Sequence, residues 1–251
     1  MQFIYFVVMK AGLIGFPLEH SFSQTYFSEK FFREGRKDCS YETFAIENIS
    51  LLPSLLQKHP ELSGLNVTIP YKERVIRYLN TMTEEAKMLG AVNTIKIENG
   101  ILRGFNTDVF GFMHSLKPLL KEQHRKALVL GTGGAAKAVA YVLTQLKIEY
   151  QLVSRSLGDK RELSYQTLSE DIVEEHKLIV NTTPLGMQPD VLSFPDIPYE
   201  ALSSKHLLYD LVYNPEKSIF LIKGQQQGAE IKNGLEMLYL QAEKSWEIWT
   251  A

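Results

Sequence analysis

Apolar and polar positions along the chain fall into two half-chains with the same rhythm. In the first half, "AGLIGF" is a short apolar run that predicts a buried strand. The stretch from Ser21 to Gly35 has helical spacing and stops at a glycine, a common helix end. "SYETFAI" predicts a second strand, "ISLLPSLLQKH" a helix, and "GLNVTI" a third strand. In this third strand Leu65, Val67 and Ile69 alternate with Asn66 and Thr68, so one face is apolar and the other carries an amide and a hydroxyl. Continued in extended form through Pro70, the same alternation brings Lys72 to the polar side. Pro70 is also well placed to open a helix through "YKERVIRYL". "GAVNTIKIENGILRGF" reads as a hairpin turning at Asn99-Gly100, a strong local turn signal.

The second half begins near Phe105. "KALVLG" predicts a buried strand, followed by a glycine-rich turn and an alanine-rich helix to Leu146. "EYQLVSRS", "HKLIVNTTPLG" and "HLLYDLVYNP" are three further strand candidates separated by helical or polar stretches. Strands alternating with helices imply right-handed crossovers and parallel sheets. The last segment places Leu235, Leu238, Ala242, Trp246 and Trp249 on one helical stripe. No low-complexity tract or short-period repeat interrupts the pattern. The expected fold class is therefore α/β, in two domains.

Composition narrows the function classes more than the fold. The 251 residues are enough for a core that needs no staples, with 45% hydrophobic and 22% charged residues. A net charge of −2 gives no general pull toward nucleic acid or an anionic membrane, so an anion must be captured locally. The single cysteine, Cys39, excludes an intramolecular disulfide and fits a reducing compartment. The six histidines lack metal-ligand spacing, and no metal is expected. "MQFIYFVVMK" is apolar but too short to span a bilayer and has neither the basic start nor the cleavage site of a signal peptide. It is either a longer first strand or a segment preceding a natural start at Met9. Both readings make the protein cytoplasmic.

The glycine turn carries the first chemistry. "LVLGTGGAAKAV" sets Gly131, Gly133 and Ala136 in a G-x-G-x-x-A arrangement after a strand and at the opening of a helix. Glycines there let the backbone turn tightly and approach a pyrophosphate seated on the helix N-terminal amides. It is not a triphosphatase phosphate loop, because Ala138 stands where Mg²⁺ would need a hydroxyl. An NAD site usually carries Asp or Glu at the end of the next strand for the ribose 2′-hydroxyl. Here that strand ends Ser154-Arg155-Ser156. A guanidinium suits a 2′-phosphate and stacks on adenine, so the ligand expected is NADP.

Polar groups gather in the first half. Ser21 and Ser23 follow the first strand, where two hydroxyls at a helix start either cap the helix or hold a carboxylate. Asn93, Asn106, Thr107 and Asp108 stand at strand ends, Asp108 either as a cap for "VFGFMHSL" or as a site group. Lys72 alone, in "YKE", reads equally as a solvated lysine.

The blocks "GFPLEHSFSQ", "LNVTIPYKE", "GAVNT", "GFNTDVFG", "LGTGGAAKAV", "VNTTPLGM", "YDLVYNP" and "NGLEMLYLQA" stand in the order found in shikimate dehydrogenases, and from Ala11 to about Trp249 the chain resembles that family. The resemblance implies an NADP-dependent oxidoreductase that reversibly reduces 3-dehydroshikimate to shikimate in aromatic amino-acid biosynthesis. It implies a substrate-binding α/β domain with a mainly parallel sheet, residues 1–104 plus 235–251, and a Rossmann-like NADP-binding domain, residues 105–234, with the active site in the cleft between them. By the same resemblance Lys72 and Asp108 form the catalytic pair. Ser21 and Ser23 hold the substrate carboxylate with Tyr213 nearby, and Asn66, Thr68, Asn93, Asp108 and Gln241 bind the ring hydroxyls. Gly131, Gly133, Gly134 and Ala135 cradle the pyrophosphate, and Ser154, Arg155 and Ser156 hold the adenosine phosphate end. Thr182 to Met187, Leu211 and Gly234 line the nicotinamide side. Partners are then the small-molecule substrate alone, with no nucleic acid and no membrane, in a monomer or homodimer.

Three departures stand out. Ser154-Arg155-Ser156 replaces the family's usual Asn-Arg-Thr, Asp159 stands where some members carry a second arginine, and an apolar extension precedes Met9. The competing readings are a quinate/shikimate dehydrogenase using NAD and a non-catalytic dinucleotide-binding regulator. Intact Lys72 and Asp108 speak against the latter, since cofactor binding requires neither.

Overall fold

The computed structural model describes residues 9–18, 22–155 and 162–251. Among these residues the chain forms two six-stranded sheets. In the first, β1 (Met9–Gly15), β2 (Cys39–Ala45) and β3 (Leu62–Val67) run parallel, connected through α1 (Phe22–Arg33) and α2 (Leu52–Lys58). Next come β4 (Thr81–Met82), α3 (Glu84–Leu89), and the antiparallel hairpin of β5 (Thr94–Glu98) and β6 (Ile101–Phe105). The hairpin turns at Asn99 and Gly100, both at positive φ (51° and 76°), as a two-residue turn with matching twist requires. The order across the sheet is β2-β1-β3-β5-β6-β4.

Strand β1 shows why this sheet is apolar on both faces. Met9, Ala11 and Leu13 pack with Tyr26, Phe27, Phe31, Tyr41 and Trp249, whereas Ile14 joins Leu52, Leu65, Val75 and Ile95 on the other side. A parallel sheet covered on both faces has no solvent side to alternate toward.

The second sheet begins after α4 (Thr107–Leu116). Strands β7 (Lys126–Leu130), β8 (Glu149–Ser154), β9 (Glu162–Ser164), β10 (Leu178–Asn181), β11 (Leu207–Asp210) and β12 (Glu230–Lys232) lie in the order β12-β11-β10-β7-β8-β9, all parallel. Helices α5 (Gly134–Gln145), α6 (Glu170–Glu175) and α7 (Ile219–Gln226) lie between strands, and α8 (Leu235–Thr250) closes the chain. Leu128, Leu130, Ile179, Leu208 and Phe220 centre its core. Contacts divide the molecule into two compact units, the described residues up to Thr107 together with Ala242–Ala251, and Asp108–Gln241.

The α/β class and the Rossmann-like second sheet are as expected, but three local expectations fail. The third strand ends at Val67, and Ile69 is 74% exposed. The Ile69–Pro70 peptide is cis, and the chain turns where the alternation assumed extension. Tyr71, not Ile69, is the buried residue beyond the strand, and its hydroxyl donates to the Ile46 carbonyl at 2.5 Å. The helix expected through "YKERVIRYL" is reduced to a short 3₁₀ segment, Arg74–Tyr78. In α8 the buried line runs through Met237, Gln241, Ala242, Ser245 and Trp249, while Leu235, Leu238 and Trp246 are only half-buried. The apolar stripe therefore sat one residue off the face that is covered, because two polar side chains belong to it.

Candidate active site

In a doubly wound sheet, ligands bind outside the carboxyl ends of the strands where the chain reverses direction across the sheet. In the second unit the strand sequence runs outward from β7 to β9 and then restarts at β10 on the other side of β7. A cavity of about 300 Å³ lies there, lined by Gly131, Thr132 and Gly133 after β7, Ser154 and Arg155 at the end of β8, Tyr165, and Thr182 to Leu185 after β10. Gly131 sits at φ +111°, and a side chain on it would meet the Thr182 hydroxyl oxygen at 2.7 Å. Gly133 and Gly134 instead face open space within 4 Å of their missing side chains. A phosphate group can thus come directly against the backbone at the start of α5, a twelve-residue helix with its amides turned that way. Thr182 is committed inward, its hydroxyl donating to the Leu130 carbonyl at 2.7 Å. Ser154 is buried and Arg155 exposed, which leaves the guanidinium able to reach a ligand. The residues present fit a dinucleotide with an extra phosphate.

Leu211 and Gly234 come together in this unit: a side chain on Gly234 would collide with the Leu211 carbonyl oxygen. Tyr213 is half-buried, and burial raises its hydroxyl above the usual tyrosine range. Met187 is 44% exposed beyond the loop. A larger groove of about 790 Å³ at the amino ends of β7 and β8 is lined by Lys126, Tyr150, Glu175 and His176. Lys126 and Glu175 neutralise each other there, and no residue singled out from the sequence lines it.

The first unit has its own reversal between β1 and β3. The loops leaving these strands are stitched together, Thr68 N–H to the Ile14 carbonyl at 3.0 Å and Phe16 N–H to the Ile69 carbonyl at 3.2 Å. Behind them lies a buried polar network. Asn66 accepts from the Tyr41 hydroxyl (2.8 Å), and its amide nitrogen points at the Ser245 (3.0 Å) and Thr94 (3.2 Å) hydroxyls and the Asn93 carbonyl (3.3 Å). Asn93 donates to the Thr107 hydroxyl at 3.0 Å and accepts from the Thr107 N–H at 2.7 Å. The Ser23 hydroxyl hydrogen-bonds Tyr41, so the network reaches the first turn of α1. Lys72 is half-buried, and its carbonyl is held by the Val92 N–H at 2.8 Å, next to Asn93. Asp108 lies in the first turn of α4, which opens one residue earlier, so it does not precede the helix as a cap. Gln241 is 8% exposed and donates to the Leu238 carbonyl of its own helix at 3.0 Å.

Within the first unit, Ser23, Asn66, Thr68, Lys72 and Asn93 therefore group around one strand-end region. Gly131, Gly133, Gly134, Ala135, Ser154, Arg155 and Thr182 group around the pocket in the second. Ser21 and Ser156 lie outside the described residues. Sequence reasoning missed Tyr41, Thr94 and Ser245. Tyr41 reads as an ordinary strand aromatic, and Ser245 is 179 residues from its partner Asn66. The one available signal was a serine on the face of α8 that carries Ala242 and Trp249. Among the described residues no cluster of three metal-ligating side chains occurs, and no helix is long and apolar enough to cross a membrane.

The chain is similar to known proteins over almost its whole length. A family model described as the shikimate dehydrogenase substrate binding domain matches residues 13–95. A shikimate dehydrogenase (NADP(+)) of Caldanaerobacter subterraneus subsp. tengcongensis is 37% identical, the match covering 95% of this chain and 90% of that protein. Among solved structures, shikimate 5-dehydrogenase from Thermus thermophilus in complex with NADP(H) and shikimate superposes with a TM-score of 0.84 at 30% identity, covering 96% of this chain and 93% of that one. Quinate dehydrogenase from Corynebacterium glutamicum in complex with NAD gives a TM-score of 0.85 at 26% identity, covering 96% and 93%.

Proposed function

We infer function from the premise that this chain belongs to the shikimate dehydrogenase family. It is an NADP-dependent oxidoreductase that interconverts 3-dehydroshikimate and shikimate. The observation that carries the cofactor assignment is the pocket at the β7/β10 reversal, where the end of β8 presents Ser154 and Arg155 instead of a carboxylate. An acid there would bind a ribose hydroxyl and repel a 2′-phosphate; arginine does the opposite. NADP, when bound, supplies and takes back the hydride.

The chain's own residues do the rest. Reducing the ketone builds negative charge on oxygen, which a positioned proton donor must meet. Lys72 is that donor in reduction and the acceptor in oxidation, with Asp108 as its partner. Ser21 and Ser23 hold the substrate carboxylate, with Tyr213 nearby. Thr68, Asn93, Asp108 and Gln241 take the ring hydroxyls. Asn66 offers chiefly one lone pair on its carbonyl oxygen, because Tyr41 and three acceptors engage the remainder. A site built to bind hydroxyls rejects analogues that lack them, since its own polar groups are then left unpaired. Gly131, Gly133, Gly134 and Ala135 receive the pyrophosphate, Arg155 with Ser154 and Ser156 the 2′-phosphate, and Thr182 to Met187, Leu211 and Gly234 the nicotinamide side. Residues 1–104 with 235–251 serve as the substrate domain and 105–234 as the NADP domain, in a cytoplasmic monomer or homodimer.

The test is absorbance of reduced nicotinamide with purified protein and shikimate, NADP against NAD. Rapid reduction of NADP with little of NAD is expected. Equal rates would move the assignment to an NAD-tolerant quinate/shikimate dehydrogenase, and no reaction from folded protein would leave a dinucleotide-binding regulator.

A further inference from the structure

The loop after β10 takes its shape from a carboxylate that none of the roles above uses. Asp210 ends β11 and is fully buried, as is Asn181 at the end of the neighbouring β10. One carboxylate oxygen accepts from the Asn181 side-chain amide at 2.9 Å and from the Val212 N–H at 3.0 Å; the other accepts from the Ser218 hydroxyl. With its amide nitrogen drawn to Asp210, Asn181 must turn its carbonyl oxygen toward Thr183. That oxygen accepts from the Thr183 N–H at 3.0 Å and the Thr183 hydroxyl at 2.6 Å. The Thr183 hydroxyl then accepts from the Leu185 N–H at 3.3 Å. An asparagine amide is nearly symmetric in shape and opposite in polarity at its two ends. Rotated by half a turn, it would aim donors at the Thr183 donors and an acceptor at the Asp210 acceptor. Ser218, the third partner, also caps α7 by accepting from the Leu221 N–H.

We propose that Asp210 is a positioning residue for the dinucleotide site: through Asn181 its carboxylate holds the loop from Thr182 to Leu185 in the shape that forms one wall of the pocket. The proposal rests on the NADP assignment above. Those four loop residues line the same cavity as the Gly131–Gly133 turn, so a loop that relaxes loses contact with the ligand while the glycine turn stays in place. A neutral amide at 210 removes the bias, since its own N–H₂ would compete with that of Asn181. The state of the carboxyl is finely set. Burial pushes it up to about 6, opposed by the Ser218, Val212 and Asn181 hydrogen bonds. Among the described residues no charged side chain contributes to that shift, and the Tyr199 hydroxyl, which feels the Asp210 charge, is raised chiefly by burial and stays neutral throughout this range.

Calorimetric titration of the full-length protein tests this with NADP and, separately, with shikimate. Asp210→Asn is expected to weaken NADP binding about tenfold at pH 7.5, the scale of one lost charge-assisted hydrogen bond, and to leave shikimate binding unchanged. Between pH 7.5 and 5 the wild type should lose more NADP affinity than the variant does. That difference cancels the titration of the ligand's own phosphate. Ser218→Ala keeps the carboxylate and should weaken NADP binding by a smaller factor; it decides the matter if Asp210→Asn does not fold. Wild-type NADP affinity in either folded variant, or equal losses of both ligands, overturns the positioning role. Failure of the wild type itself to bind NADP while binding shikimate would instead overturn the cofactor assignment.

Discussion

The two sheets place their proposed ligand regions by the same topological rule and build them from different materials. At the reversal of the second sheet the wall is backbone: Gly133 and Gly134 with nothing in front of them and a helix start without a side-chain cap. At the reversal of the first sheet it is side chain: amides and hydroxyls of Tyr41, Asn66, Asn93, Thr94, Thr107 and Ser245 hydrogen-bonded to each other. The chemistry of the ligands explains the difference. A pyrophosphate is an anion that any row of N–H groups can bind, so a dozen contiguous residues suffice. A ring of hydroxyls needs donors and acceptors at fixed angles, and these must be locked from behind by further polar partners.

The contrast can be broken most sharply at Lys72. Lys72→Ala is expected to lower kcat by roughly 10²–10⁴-fold with shikimate affinity near wild type, the scale of lost acid–base catalysis. Steady-state rates within about twofold of wild type would remove Lys72 from the chemistry. Next in size is Arg155→Ala, expected to raise KM for NADP about tenfold or more, as loss of a bidentate charged contact does, with KM for NAD little changed. Equal increases for both cofactors would refute the phosphate contact.

These two residues also show what the amino-acid sequence discloses and what it hides. Arg155 could be singled out because its proposed role depends on a neighbour in the chain, the glycine turn one strand earlier. The Asn99-Gly100 turn was legible for the same local reason. Lys72 was singled out by an alternation that stops at Val67, with the residue expected to be buried, Ile69, exposed. Tyr41 and Ser245 were invisible because their partners lie 25 and 179 residues away, and only the fold brings them together. The misread stripe of α8 has the same origin: Ser245 occupies the covered face because a polar network, not an apolar one, receives it.

Ser245→Ala sharpens the comparison from the first unit. It removes one of the acceptors of the Asn66 amide, and a loss of about five- to tenfold in kcat/KM for shikimate is expected, the scale of a buried hydrogen bond. KM for NADP should not move; if it does, the network is not confined to the substrate side.

The smallest effect is a pH response of stability that differs between the units. His124 and His206 are buried in the second unit, and desolvation holds both below the usual histidine range. The unfolded chain therefore binds more protons than the folded one as pH falls below about 6.5, so stability is complete above that pH and declines below it. In the first unit Glu243 is held below the usual carboxylate range: burial would raise it, but hydrogen bonds from Tyr26 and Lys30 outweigh that. Its stabilisation persists until pH falls under about 4.5. Asp210, pushed up to about 6, gains its proton in the same window as the two histidines and opposes their loss, so the measurement is a difference: between pH 7.5 and 5.5 the urea midpoint of His206→Gln should fall less, or rise more, than that of the wild type. Identical profiles for the two proteins would mean that His206 gains a compensating partner when charged.

Residues Ala242–Ala251 close the first unit from the far side of the second in the chain. Trp249 donates to the Ile95 carbonyl at 2.9 Å and packs among Phe27 and Tyr41, and Ser245 completes the network around Asn66. The second unit is one uninterrupted stretch, Asp108–Gln241, whereas the first draws on two segments that flank it in the chain. The first unit is therefore a ring closed around an insertion: its ends meet at low entropic cost only while the inserted unit is itself folded, because an unfolded insert would be a long loose loop to close.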